Sequence, residues 1–328
     1  MVNVADLLGL PCLDTDLERV EVALQREAAT EDPFLAEVTT HLIAAGGKRL
    51  RPLLTLAAAA SSGRDATEEV LLGSVAVELV HIASLYHDDV MDEAEHRRQV
   101  LSVNARWGNL VAVVAGDFLL ARAAGIAASL GTEVASLLAA TLGRMCEGQV
   151  AEVHAAFDAD RPEPSYLNAI AGKTASLMAC SCRIGALTSG LDGHARDALT
   201  EFGEALGMVF QIRDDILDVV ASDEELGKEA GQDLVKGIYT LPVLRALADA
   251  EAGPELRTIL GGPLGDADRA LARSVIAGSG AIAEATAEAR RWADRAQGAA
   301  GALPPSAASE ALARLPHALL DTLAVPTR

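Results

Sequence analysis

The chain has 328 residues, half of them hydrophobic but only 3% aromatic, and a formal net charge of −20. That length and apolar content allow a large core, and few aromatics beside abundant alanine and leucine favour helices packed on helices over a β-sandwich. The diffuse negative charge argues against nucleic acid as a partner and leaves at most peripheral contact with a membrane.

In chain order, residues 13 to 30 read as an amphipathic helix. Leu13, Leu17, Val20, Val22, Ala23 and Leu24 are its apolar positions, and Asp14 to Asp16 its start signal. A second helix runs from about Asp32 to Ala45, with Pro33 at its first position and Gly46-Gly47 as its stop. Lys48 and Arg51 then stand at or just before a third helix, whose first turn holds Pro52; backbone N–H groups there favour anions. A fourth helix spans roughly 66 to 92. Two more cover 111 to 130, bounded by Gly108 and Gly131, and 133 to 157. The helical stretch 165 to 190 carries a break near Gly172, with Lys173 and Thr174 at the break. Residues 195 to 220 form another helix, followed by a glycine-containing loop with Gly227, Lys228, Asp233 and Lys236; beyond 246 come further packing helices. No run has strand periodicity, and neither a long linker nor a short repeat divides the chain, so one domain spanning 1–328 is expected.

No basic segment followed by a long apolar run opens the chain, and no stretch reads as a transmembrane helix, which points to a soluble, cytoplasmic protein. Cys12, Cys146, Cys180 and Cys182 have no metal-ligand spacing and are expected to be small buried apolar residues.

The chemistry concentrates in two places. His87-Asp88-Asp89-Val90-Met91-Asp92 puts three carboxylates into five residues of an apolar helix, with Asp88 and Asp92 on one face. Carboxylates this close repel one another and are costly to bury, and a divalent cation removes that cost; Mg²⁺ suits oxygen ligands shared with a substrate's phosphates. Asp214-Asp215-Ile216-Leu217-Asp218 repeats the spacing on another apolar helix. His81 shares the Asp88 face two turns earlier, and Arg97 and Arg98 follow the first motif. The arginines suit bidentate phosphate contacts, though a solvated pair in a loop has the same sequence.

Gly46-Gly47-Lys48-Arg49-Leu50-Arg51-Pro52, Glu78-Leu79-Val80-His81, the first aspartate motif with Arg97-Arg98, Gly172-Lys173-Thr174, and Phe210-Gln211-Ile212-Arg213 before the second motif come in an order that resembles the trans-isoprenyl (polyprenyl) diphosphate synthases. The resemblance runs from about residue 40 to 245. It implies an all-α, isoprenoid-synthase-like bundle of antiparallel helices around a deep central cavity. It also implies Mg²⁺-dependent head-to-tail condensation of isopentenyl diphosphate with an allylic diphosphate, in an enzyme that is usually a dimer. Carried over residue by residue, it makes Asp88, Asp89, Asp92 and Asp214 metal ligands, with Asp215 and Asp218 supporting the second motif. Arg97, Lys173 and Lys228 would contact the allylic diphosphate; Lys48, Arg51, His81 and Arg98 would hold isopentenyl diphosphate. The Lys173 carbonyl, Thr174 and Gln211 would face the developing allylic cation, and Gln149 and Glu152 resemble supporting positions.

Two departures stand out from that pattern: Gln99 where many relatives have glycine, and Ile238 where many have a third lysine. Ala83 and Ser84, one turn above Asp88, are small where bulky residues in this family resemble a floor that ends chain growth. Deeper along the helix Val80, Val77 and Ala76 are not aromatic. A helix advances about 5.4 Å per turn, comparable with one isoprene unit, so a long tunnel and a product of roughly C30 to C50 are expected. The alternatives are a shorter synthase (about C15 or C20), whose floor lies on the next helix, and a non-catalytic subunit of a heteromeric synthase. A class I terpene cyclase would carry only one such aspartate motif. The His87-Asp88 doublet would suit a metal phosphohydrolase, but that reading leaves Asp214 to Asp218 unexplained.

Overall fold

The computed structural model describes residues 4–226 and 229–323. In chain order the helices are α1 (Val4–Leu8), α2 (Cys12–Ala28), α3 (Pro33–Ala44), α4 (Leu50–Ala60) and α5 (Glu68–Met91). A hairpin of β1 (His96–Arg97) and β2 (Val100–Leu101) comes next. It leads into α6 (Val103–Trp107), α7 (Asn109–Ser129), α8 (Thr132–His154), α9 (Glu163–Ile170), a π-helical turn (Ala171–Ala175) and α10 (Ser176–Thr188). The remainder is α11 (Gly193–Val220), α12 (Asp223–Leu226), α13 (Gln232–Val235), α14 (Leu241–Ala248), α15 (Ala252–Ile259), α16 (Asp266–Gly278), α17 (Ala281–Ala300) and α18 (Ala307–Leu320).

Caps set several of these boundaries. Asp32 accepts the Leu35 N–H at 2.8 Å before Pro33 starts α3, and Thr67 caps α5 through the Val70 N–H. The apolar pattern decides the packing. α5 carries buried side chains around most of its circumference and sits centrally, against α2, α4, α7 and α10; α11 packs on α10 and α17. The fold is the expected all-α bundle.

Four expectations need correction. Residues 96–101 pair as an antiparallel hairpin, His96 with Leu101 and Arg97 with Val100. Val22 is exposed on α2. Cys180 and Cys182 are buried, and burial pushes the Cys180 thiol up to about 12, but Cys12 and Cys146 are exposed. Finally, α5 and α7 are both long and apolar enough, by length and composition, to cross a membrane. A core helix satisfies the same test, and most of α5 is buried inside the bundle.

Near Gly172 the chain does not break; it widens into the π-helical turn. Gly148 of α8 faces Gly172 there, and a methyl on Gly148 would stand 2.7 Å from the Ala169 carbonyl oxygen. Two glycines thus let the backbones touch and bring Lys173 beside α8. Gly148→Ala is expected to lower stability by about 1–3 kcal/mol in urea unfolding. Gly143→Ala, on the same helix with nothing within 4 Å of its added methyl, should leave stability unchanged or raise it by up to ~1 kcal/mol. Equal losses in both would show that the crossing is not the cause.

Candidate active site

His81, Ser84, Leu85 and Asp88 are half-buried on α5, while Val80, Ile82, Ala83 and Tyr86 between them are fully buried. The half-buried positions recur at helical spacing, so they form one partly accessible stripe along the central helix. Asp88 lies on it. Burial raises its carboxyl above the ordinary range and Asp92 adds to the rise, against Lys173 and Arg97. Asp89 is fully buried. Its Oδ1 accepts from Arg97 Nε at 2.8 Å and Nη2 at 2.5 Å, and its Oδ2 is buried without a partner. Asp92 ends the helix and accepts from Lys236 Nζ at 2.7 Å.

A divalent cation fits this donor set: hard carboxylate oxygens, one of them buried and unbonded, at a place where negative charge is disfavoured. Among the described residues, no three carboxylates, imidazoles or thiols stand close enough to hold an ion by themselves. Such a site suits a cation that takes its remaining ligands from water and a substrate's phosphates. His87 takes no part. Its Nε2 lies 3.2 Å from the Val113 carbonyl and 3.6 Å from Asp117 on α7, in space that Gly116 leaves open.

The second motif lies on α11. Asp214 is its accessible carboxylate and pairs with Arg213 at 3.1 Å; Arg213 is itself anchored on the Leu319 carbonyl and the Thr322 hydroxyl after α18. Asp215 is 2% exposed. Its Oδ1 accepts from Gln211 Nε2 at 2.8 Å and its Oδ2 from the Tyr166 hydroxyl of α9. Burial, then Asp233, raises its carboxyl well above the ordinary range. Asp218 is also buried and accepts the Asp233 N–H at 3.2 Å, tying α13 to α11.

One hydrogen-bonded chain links these groups to the π turn. Thr174 donates to Gln211 Oε1 at 2.8 Å, which leaves the Gln211 amino group to Asp215. Next to it, Lys173 Nζ sits 2.5 Å from Glu152 of α8. Burial acts to lower the Lys173 ammonium, but Glu152, Asp88 and Asp92 outweigh it and the pKa rises. Gln149 Oε1 is buried without a partner.

The basic cluster forms around Glu78, which is 1% exposed. Arg49, in the left-handed region at φ 45°, donates to both oxygens of Glu21 on α2 at 2.8 and 2.9 Å, and to Glu78 at 3.1 Å. Burial pulls the Arg51 guanidinium down to about 10, against Glu78 and together with Arg98, and its Nε is buried without an acceptor. Arg98 reaches back from the hairpin turn to the Leu42 carbonyl at 2.9 Å and to the Gly46 carbonyl. Burial, with Arg51, Arg98, Arg97 and Arg49 nearby, holds His81 well below the ordinary imidazole range, so its ring is neutral. The pocket thus gathers more guanidinium charge than Glu78 offsets, which favours an anion. Lys48 is exposed, with Nζ 5.9 Å from the Phe210 ring of α11.

Arg97 and Arg98 are therefore neighbours with different duties, one on the acidic motif and one on the basic pocket. Gln99, beside them, has φ 66°, a conformation a glycine would adopt without strain. Lys228 lies outside the described residues. Sequence reasoning did not assign a role to Arg49, Glu21, Glu78 or Tyr166. A single acid in the apolar run 75–83 was the available signal for Glu78; the other partners are far away in sequence.

Residues 32–275 match the Polyprenyl synthetase family. The chain is 36% identical over 318 residues to the nonaprenyl diphosphate synthase of Mycobacterium tuberculosis, covering 96% of this chain and 94% of that one. It is 41% identical over 286 residues to heptaprenyl diphosphate synthase component 2 of Geobacillus stearothermophilus, covering 87% and 88%. The crystal structure of a polyprenyl synthase from Caulobacter crescentus, complexed with calcium and isoprenyl diphosphate, superposes with a TM-score of 0.90 at 34% identity over 98% of both chains.

Tyr166→Phe keeps the ring and removes one of the two donors to a buried carboxylate. It is expected to cost about 1–3 kcal/mol of stability, read as a lower urea midpoint. An unchanged midpoint would show that Asp215 does not depend on that hydroxyl.

Proposed function

The chain belongs to the polyprenyl synthetase family of prenyltransferases, and on that premise we propose that it joins isopentenyl diphosphate head to tail to an allylic diphosphate, with Mg²⁺, to make an all-trans polyprenyl diphosphate. The observation that carries this reading is the shared face of α5. His81, in the basic pocket, and Asp88, in the acidic motif, lie seven residues apart on one cleft wall, about 10 Å along the helix. That spacing suits two diphosphates held side by side with their hydrocarbon parts in one cleft.

Arg51, Arg98 and Lys48, beside the neutral His81, bind isopentenyl diphosphate. Lys173 and Arg97 contact the allylic diphosphate, as Lys228 does in the family resemblance. Asp88, Asp89, Asp92 and Asp214 hold the metal, with Asp215 and Asp218 keeping α11 in place. Mg²⁺ held by these carboxylates would supply positive charge to the leaving diphosphate and so favour ionisation of the allylic C–O bond. Thr174 and Gln211 present oxygen atoms to the resulting cation, and Gln211 is held with its positive amino end turned to Asp215. The apolar walls of the cleft exclude water that would quench the cation. The alkene of isopentenyl diphosphate attacks it, and the released diphosphate is the base for the departing proton. No imidazole is needed for that step, and His81 serves as a neutral donor to an anion.

Relatives named for heptaprenyl and nonaprenyl products support a long chain here. Ser84 lines the cleft with its hydroxyl turned onto the His81 carbonyl at 2.8 Å. Ala83, Val80, Val77 and Ala76 are fully buried, so a growing chain parts these side chains or leaves α5 at Ser84. The second reading is a product of about C15 or C20, in which the floor is set by residues on the next helix. We also propose a homodimer. α7 and α8 expose Leu110 (78%), Val113, Val114, Val150 and Val153, an apolar face that a second copy would cover. The buried free thiols Cys180 and Cys182 suit a reducing compartment such as the cytoplasm.

The test is to incubate the purified chain with Mg²⁺, labelled isopentenyl diphosphate and, in separate reactions, geranyl, farnesyl or geranylgeranyl diphosphate. The expected result is a ladder reaching roughly C30 to C50, which Asp88→Ala reduces by about 10²–10³-fold. A stop at about C15 or C20 overturns the chain length alone; no condensation with any primer overturns catalysis by this chain alone. Ser84→Phe is expected to shorten the product, and an unchanged distribution would place the floor elsewhere. Light scattering should give twice the chain mass; the monomer mass would fit a component that requires a different partner.

A further inference from the structure

Lys236 has no role in the reading above, and Ile238 stands where a cation was expected. We propose that Lys236 is a diphosphate-binding residue, held on Asp92 until substrate arrives, and that it supplies from position 236 the charge missing at 238. The inference rests on the proposed reaction.

Lys236 follows α13, and its Nζ bridges to Asp92 at the end of α5 at 2.7 Å. Its charge also acts on Asp89, while Lys173 acts on Asp88 from the other side. Without ligand, the three carboxylates of the first motif are thus offset by Arg97, Lys173 and Lys236. The Lys236–Asp92 pair is exposed on both sides (43% and 32% of the side chains). Exposed pairs of this kind contribute little and exchange readily, so this one is a poor structural clamp. A divalent cation held by Asp92 would take the partner of Lys236 and leave its ammonium free at the place where the incoming diphosphate needs donors.

The backbone beneath Lys236 is anchored. Gly237 accepts the Phe157 N–H at 2.8 Å and packs on that ring, and the Ile238 N–H donates to the Asp233 carbonyl at 2.8 Å. Only the long side chain of Lys236 needs to move. Ile238, two residues on, is half-buried and brings no donor.

The test uses the full chain with Mg²⁺ and farnesyl S-thiolodiphosphate, whose C–S bond does not ionise readily, so that binding is read apart from turnover. Lys236→Ala should weaken analogue binding about tenfold, the loss of one charge-assisted contact, and raise the allylic KM in parallel. The KM for isopentenyl diphosphate should stay within about twofold. Adding Ile238→Lys to that variant should restore most of the analogue affinity. Unchanged analogue affinity in Lys236→Ala, equal weakening of both substrates, or no recovery on adding the lysine at 238 would each overturn the proposal. Failure of the unsubstituted chain to bind the analogue at all would instead overturn the reaction on which it rests.

Discussion

The acidic site answers to one electrostatic constraint: three carboxylates closely spaced at the end of the central helix α5. Left alone, Asp88, Asp89 and Asp92 would repel one another in a medium that solvates charge poorly. The fold brings cations to them from three other elements. Arg97 comes from the hairpin, Lys173 from the π turn and Lys236 from the turn after α13. Those elements are far apart in sequence, so the acidic cluster works as an assembly point for the bundle as much as a site.

The π turn and its glycine crossing serve the second half of the site. A regular helix through 171–175 would continue the α9 register into α10. The wider turn resets that register, and Gly148 against Gly172 lets it lie on α8, which brings Lys173 to Glu152 and Thr174 to Gln211. From Thr174 the bonds continue through Gln211 and Asp215 to Tyr166, so three elements share one polar path inside an apolar bundle. Buried polar groups that are bonded in sequence restrict one another's rotamers, and this is how a flexible glutamine is held in one orientation.

Local signals made much of this legible. Asp32-Pro33 marked a helix start that the structure keeps, and the spacing of Asp88 to Asp92 and Asp214 to Asp218 put each acidic set on one helix. What stayed hidden was long-range or aperiodic. A hairpin with two-residue strands has no period to detect, and its turn depends on positive φ at Arg98 and Gln99, neither of them a residue that announces it. The clasp from Arg49 to Glu21 and Glu78, and that from Tyr166 to Asp215, join residues 28 to 49 positions apart. The π turn was taken for a break because a glycine in a helical pattern signals both. The apolar runs of α5 and α7 show the opposite failure: composition alone does not separate a bundle's core helix from a membrane span.

On the proposed reaction, the two anion sites would differ in a way that matches what each must do. The pocket around His81 uses planar guanidinium forks fixed by carbonyls and by Glu21 and Glu78. It suits a diphosphate that stays attached to its carbon skeleton throughout the reaction. The acidic side uses Lys173 and Lys236, compact charges on flexible stems, each resting on a carboxylate. It suits a diphosphate that must be gripped as its bond breaks and then released, because the lysines have a carboxylate to return to.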